Sequence, residues 1–319
     1  MNDMRAALFD SYGPPDVLYE GKVPVPTPKQ DEVLVKVHAV SINGGEISAR
    51  AGRVRLLTGR KFPQRVGLDF AGEITEVGPA VKGPAKGDRV WGTLPRGRFG
   101  SAAEYVTVRP AQISLAPQGI SLVDAVSLPV GTTAITALRT QARLQPGERL
   151  LVRGGSGGVG SVAVQLGKAV GAHVTALASP RNLDFVRELG ADEALSYTTA
   201  SPSTLGTFDV ILDTAGTEHA AYRRLLAPGG RMVAIAFDTK NPLPSIAYIL
   251  ASTVHGPRRV RFFSGNPKHD LFAELTRYVD SGAIRPVVDT VHPLSDIAEA
   301  HRAMEAGGVR GKHIVQIYG

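Results

Sequence analysis

RLLVRGGSGGVGSVAVQLGKAVGAHVTALASPRN, residues 149–182, is the stretch on which the reading of the chain turns. An apolar run ends at Arg153, and Gly155, Ser156, Gly157, Gly158, Val159 and Gly160 follow with GxGxxG spacing. Over 159–170 the apolar residues recur with a period near 3.6, so a helix opens directly from the loop. A lone GxGxxG is weak, but a strand before it and a helix after it separate a phosphate loop from a flexible turn. In this reading Gly155 makes the tight turn, Gly157 lets the backbone approach a pyrophosphate, and Gly160 lets helix and strand pack closely. The helix N-terminus then offers N–H groups and a positive dipole end to the phosphates of a dinucleotide.

The next strand, VTALA over 174–178, runs into Ser179-Pro180-Arg181-Asn182. An NAD site usually carries an acid about 20 residues after the loop, for the ribose 2′-OH. Here a hydroxyl and a guanidinium stand instead. Arg181 would pair with a 2′-phosphate, which an acid would repel, so NADPH is expected over NADH. The alternative is a solvent-facing arginine at a helix start.

Outward from this stretch the alternation continues. Helix 182–189 and strands 209–212 and 231–236 follow, and Asp124 is expected to cap a helix running into LPVGTTAITALRT. Strands alternating with helices argue for an α/β fold with a doubly wound parallel sheet. Asp213 and Gly216, in LDTAG, fall at a strand end, where such sheets place ligand-facing loops. Before residue 123 the chain reads instead as short β segments, among them 32–40 (EVLVKVHAV), 72–77 and 88–91, with Pro24, Pro26 and Pro28 marking an extended connector. After residue 260, helices over 271–279 and 295–304 alternate with strands over 286–291 and 313–318.

The 319 residues suggest two domains, and 43% hydrophobic with 20% charged residues suits a globular protein with a core. No run of ~18 apolar residues predicts a transmembrane helix, and residues 1–10 lack the apolar segment of a signal peptide. A cytoplasmic setting without a membrane partner is expected. The chain has no cysteine, which excludes disulfides, a cysteine nucleophile and thiolate metal sites. A net charge of +7 fits either a solvated basic surface or attraction for an anionic ligand. No basic stripe interleaved with aromatics is present, so no nucleic-acid partner is expected.

Segment after segment resembles the medium-chain dehydrogenase/reductase superfamily, in its zinc-free quinone oxidoreductase (zeta-crystallin-like) branch. RAALFDSYGPPDVL, EVLVKVHAVSIN, VGLDFAGEITEVG, KGDRVWG, AAEYVTV, LPVGTTAITAL, LGADEALSY, FDVILDTAG, LLAPGGRMVAI and the tail from AIRPVVDT occur in the family's order. The resemblance implies a Rossmann doubly wound parallel sheet plus a GroES-like β domain, with the active site in the cleft. The GroES-like domain would be 1–123, completed by 261–319, and the Rossmann domain 124–260. It implies a homodimer or homotetramer, and a small-molecule quinone or enone as substrate.

Zinc alcohol dehydrogenases of the superfamily hold catalytic zinc with a cysteine and the histidine of GHE. Asn43 matches that cysteine and Leu68 that histidine. Leucine supplies no ligand atom, so no metal is expected, and alcohol oxidation is the weaker reading.

Without a metal, the oxygen of a developing enolate or phenolate needs hydrogen-bond donors. Asn43 is the first candidate, either there or on the cofactor's nicotinamide ribose. Relatives often read N-P-x-D-x-Y-x-R-x-G; here Ser48 stands for the tyrosine and Arg50 for the arginine. A serine is shorter and less acidic than a phenol. Arg50 is a catalytic candidate with a structural anchor as the alternative. The resemblance also places Thr133 near the nicotinamide, Tyr197 by the 2′-phosphate or adenine, and Lys312 near the cofactor; Phe263, with Phe262, lines the cleft near the nicotinamide or else packs in the core. The loop 53–65 (RVRLLTGRKFPQR) is basic, and Arg53, Arg55, Arg60, Lys61 or Arg65 would steer an acidic substrate unless the loop is merely solvated. The functional expectation is an NADPH-dependent reductase of a quinone or of the C=C of an α,β-unsaturated carbonyl. The alternatives are an enoyl reductase for an acidic substrate and an NADPH-binding protein with little turnover.

Overall fold

Alternating side chains in the N-terminal part build antiparallel β structure. The computed structural model describes residues 3–59, 61–237, 248, 251–252, 260–263 and 265–318. The chain divides into two compact units, Met1–Val130 with Asn266–Gly319, and Gly131–Gly265. Residues 124–130 thus go with the first unit and 261–265 with the second.

The first unit starts with β1 (Asp3–Phe9), β2 (Leu18–Pro24), β3 (Val33–Ser41), α1 (Gly44–Arg50), α2 (Arg55–Thr58) and β4 (Gln64–Arg65). β5 (Asp69–Val77), β6 (Arg89–Thr93), β7 (Tyr105–Val108), β8 (Ile113–Leu115) and α3 (Leu122–Ala125) follow. Val33, Val35 and Val37 alternate into one core, where Phe70 and Ile74 of β5 meet them. Full burial of each such side chain is worth roughly 1.5–3 kcal/mol.

The second unit contains α4 (Gly131–Ile135), β9 (Arg149–Arg153), α5 (Gly158–Val170), β10 (His173–Ala178), α6 (Leu183–Glu188) and β11 (Glu193–Ser196). It continues with β12 (Phe208–Asp213), α7 (His219–Arg223), β13 (Leu226–Ala234) and β14 (Val260–Phe262). The sheet order is β11-β10-β9-β12-β13-β14, and every pairing is parallel. This is the doubly wound Rossmann order, with its reversal at β9 and β12. Leu150–Val152 and Val210–Leu212 are wholly buried, as strands covered on both faces must be.

The chain then returns to the first unit as α8 (His269–Asp280), β15 (Val288–Pro293), α9 (Ile297–Ala306) and β16 (Lys312–Gln316). β16 pairs antiparallel with β3, so the last strand completes the first sheet. Its order is β15-β16-β3-β5-β6-β8, with β7 also on β3.

Three local expectations need correction. Asp124 does not cap a helix: Ser121 does, its Oγ accepting from the Asp124 amide at 3.0 Å. The helix expected across 124–140 is also broken, because Pro129 disfavours helical geometry in the residue before it. The chain restarts as α4 and then widens to a π-helical turn over Thr136–Gln141. The third correction is at 182: a 3-10 turn over Pro180–Asn182 precedes α6.

Candidate functional site

In the second unit, the glycine loop ties β9 to β10. The amides of Gly154 and Gly155 both donate to Leu177 O, at 3.0 and 2.9 Å. The turn itself is made by Gly154, at φ +77, and not by Gly155. Gly155 is required instead by contact, since a Cβ there would lie 2.9 Å from Ala176 Cβ. Gly160 is the tightest position: a Cβ would stand 2.0 Å from Gly154 O. No side chain caps α5 at Gly157, and Gly157, Gly158 and Val159 are partly exposed. The donors of the first turn are therefore open to a ligand.

The neighbouring loop meets this one through Asn182, whose Nδ2 donates to Ser156 Oγ at 3.1 Å. Ser179 Oγ is buried and has no hydrogen-bond partner among the described residues. Arg181 is exposed. Tyr197 is 58% exposed, and its amide donates to Ala178 O at 3.1 Å, which fixes it beside the same strand end. Residues 155–160, Ser179, Arg181, Asn182 and Tyr197 thus gather at the C-terminal ends of β9 and β10. Uncapped donors and an orphaned buried hydroxyl suit a phosphorylated dinucleotide.

Asp213 behaves differently from its expectation. It is fully buried, and its Oδ1 accepts from Arg153 Nη1 at 2.9 Å and from the amides of Ala215 and Gly216 at 2.9 and 3.3 Å. His219 Nε2 lies 3.0 Å from its other oxygen, and the Arg153 guanidinium stacks 3.6 Å over the Tyr222 ring. This carboxylate holds the loop from within through its Oδ1. Gly216, at φ +79, passes against the Phe237 backbone. Thr133 is partly exposed on α4, and Phe262 and Phe263 are exposed and partly exposed.

In the first unit, Asn43 stands at the start of α1 inside a dense polar network. Its amide donates to Glu46 Oε1 at 2.6 Å, which is the reciprocal arm of a capping box. Its Nδ2 donates to Asp69 Oδ2 at 2.8 Å and to Ser41 O at 3.2 Å. Its Oδ1 accepts from Lys312 Nζ at 2.7 Å, and the same ammonium donates to Ile42 O at 2.5 Å. Glu46 Oε2 accepts from the Gly67 amide at 2.6 Å, and Ser41 Oγ donates to Asp69 Oδ2 at 3.0 Å.

Burial pushes the Glu46 carboxyl up to about 7, against two amide donors and the nearby Lys312 charge. Burial likewise pulls Lys312 below its ordinary range, opposed by Asp69 and Glu46. Lys312 is 2% exposed, and its ammonium faces inward onto Asn43 Oδ1. Asn43 is also corrected in role. Both hydrogens of its amide are spent inside the protein and its oxygen accepts from Lys312, so it has no hydrogen free to donate to a developing oxyanion.

Arg50 is not part of this network. It is 1% exposed, donates to Gly13 O at 2.7 Å and pairs with Glu305. It anchors α1, its guanidinium engaged by Gly13 O and Glu305. Ser48 is half-buried on α1. Arg53, Arg55 and Lys61 are exposed and Arg65 is half-buried; Arg60 lies outside the described residues.

Residues 29–118 match the family described as alcohol dehydrogenase GroES-like domain, and residues 189–315 the family described as zinc-binding dehydrogenase. The chain is 34% identical to a chloroplast envelope quinone oxidoreductase homolog of Arabidopsis thaliana, covering 98% of both chains. It is a medium-chain dehydrogenase/reductase of the zinc-free quinone oxidoreductase branch. A second relative of this superfamily, an NADPH-dependent alkenal/one oxidoreductase of A. thaliana chloroplasts, is 33% identical over 98% of this chain and 79% of its own length. The solved quinone oxidoreductase of Coxiella burnetii superposes with a TM-score of 0.90 at 29% identity, over 99% of this chain and 100% of that one.

Among the described residues no three His, Cys, Asp or Glu side chains cluster to hold a metal, and no helix is long and apolar enough to cross a membrane. Glu46 and Asp69 are the polar partners that sequence reasoning missed. Asn43-x-x-Glu46 carries a capping-box signal that pointed to Glu46. Nothing local marks Asp69 as a partner of Asn43.

Proposed function

We propose that this dehydrogenase/reductase uses NADPH to reduce a quinone or the C=C of an α,β-unsaturated carbonyl. The observation that carries the reading is the end of β10. A buried hydroxyl without a partner, Ser179, is followed by exposed Arg181, and no acid stands between Ala178 and Asn182. A hydroxyl and a guanidinium suit a 2′-phosphate, which a carboxylate would repel. The names of the two plant relatives support both substrate classes, and that of the alkenal/one enzyme supports NADPH.

The bound coenzyme supplies the hydride, and the chain binds and orients. The open amides at the start of α5 are assigned to the pyrophosphate. Ser179, Arg181 and Tyr197 take the adenosine phosphate. Thr133 is assigned to the nicotinamide end. Lys312, Asp69 and Glu46 hold the Asn43 amide in one orientation. Since Asn43 has no hydrogen left to give, the substrate oxygen takes its proton from water or through the Ser48 hydroxyl.

One observation favours a second reading, coenzyme binding with little turnover: the spent donors of Asn43 leave the oxyanion without an amide donor. Steady-state oxidation of NADPH and NADH by the wild type and by Arg181→Ser, with one quinone and one enone, tests the proposal. NADPH should be preferred, and the variant should raise the KM for NADPH about 10-fold or more while leaving NADH unchanged. Equal use of both coenzymes by the wild type refutes the coenzyme assignment, and binding without turnover selects the second reading.

A further inference from the structure

Arg65 is the one described basic residue of the segment 53–65 that is half-buried, and its guanidinium has no partner among the described residues. It donates no hydrogen bond and forms no ion pair among the described residues. Its surroundings oppose its charge: burial first, and then the charge of Arg98, push its pKa below the ordinary value, and no acid offsets them. Arg98 is itself partly engaged, donating to Thr107 Oγ1 at 3.1 Å and standing 4.0 Å from Glu32.

The backbone beneath is shaped to this guanidinium. Gly100 holds φ +124, and a Cβ there would lie 2.8 Å from Arg65 Nε and 3.0 Å from Cζ. A side chain at 100 would displace the guanidinium. An unpaired cation in a partly desolvated niche costs stability, and such a cost is offset when an anion arrives.

The niche also connects to Asn43 within the same unit. Gly100 N donates to Gly67 O at 3.0 Å, and Gly67 N donates to Glu46, which holds the Asn43 amide. Arg65 is two residues before Gly67, so their Cα atoms are at most about 7 Å apart.

We infer that Arg65, with Arg98 beside it, is the anchor for a carboxylate on the substrate, so that the natural substrate is an unsaturated carbonyl compound bearing an acidic group. This rests on the reductase reading for the reacting end of the molecule, but the anion site stands on its own geometry. The planar fork of the guanidinium takes both oxygens of one carboxylate.

The test uses a homologous series of enones with a terminal carboxylate, each paired with its primary amide. NADPH oxidation gives kcat/KM, and calorimetric titration of the same compounds gives Kd without any turnover. The wild type should prefer at least one acid over its amide by about tenfold or more, a difference of about 1.4 kcal/mol. Arg65→Gln should erase that preference, leave the amide unchanged, and keep or raise Tm, because it removes an uncompensated cation. Arg65→Lys should keep part of the preference, since charge remains and the fork is lost.

Equal values for every acid and amide in the wild type overturn the inference. So does an Arg65→Gln variant that loses acid and amide equally or has a lowered Tm, which marks a structural arginine. If no compound is reduced, the reductase reading fails, and the calorimetric comparison still decides whether Arg65 binds the carboxylate.

Discussion

The glycine loop of the second unit and the start of α1 in the first are both helix N-termini, and they are finished in opposite ways. At Gly157 no side chain satisfies the first turn, and the neighbouring Ser179 hydroxyl is buried without a partner. At Asn43 the backbone amide, both amide hydrogens and the amide oxygen all have partners within the protein. Buried polar groups are nearly always satisfied. On the proposed reading the open end is where the coenzyme phosphates complete the structure, and the crowded end holds the Asn43 amide in place.

The largest effect expected from breaking this contrast is at Gly160. Gly160→Ala puts a methyl into the Gly154 carbonyl, so the loop must open or the helix shift. NADPH affinity, read by fluorescence titration, should fall about 100-fold or more, with the first unit intact by hydrogen exchange. Affinity within a few-fold of wild type would mean that the loop does not hold the pyrophosphate.

Lys312→Met should come next. It strips the cation from buried Glu46 and Asp69 and leaves Asn43 Oδ1 without its donor, at a cost of about 3 kcal/mol in chemical denaturation. Adding Glu46→Gln should recover part of that loss, because one buried acid no longer needs compensation. Simple additivity of the two changes would show that the network is not one unit.

A pH-dependent effect concerns His301, buried within reach of the Arg50 charge. Burial, then the Arg50 charge, lowers its pKa from 6.5 to about 3. Between these values the unfolded chain takes up a proton that the folded chain refuses. Stability is therefore lost as pH falls from about 6.5 toward 3, at up to about 1.4 kcal/mol per unit. His301→Leu should flatten the Tm profile over that window, and an unchanged slope would place the acid sensitivity elsewhere.

The same contrast explains what the sequence could reveal. The parallel sheet was legible because each strand is a local apolar run and the loop a local motif; the shortest edge strands, β11 and β14, were missed. The duties of individual residues were less legible. The positive φ sits at Gly154, one residue before the motif, and Asp213 turns inward onto Arg153, a partner 60 residues away. Lys312 meets Asn43 across 269 residues, a pairing that no periodicity encodes and that arises only when β16 returns to β3. The capping-box spacing of Asn43 and Glu46 was readable, but their link to Asp69 was not.

The central claim, an NADPH-selective reductase of quinones or enones, is tested most directly by coenzyme oxidation. NADPH and NADH would be offered in parallel against a panel of quinones, neutral enones and carboxylated enones. The account predicts turnover that needs the second substrate and favours NADPH by about tenfold or more. Turnover that favours NADH, or no binding of NADPH at all, would contradict it.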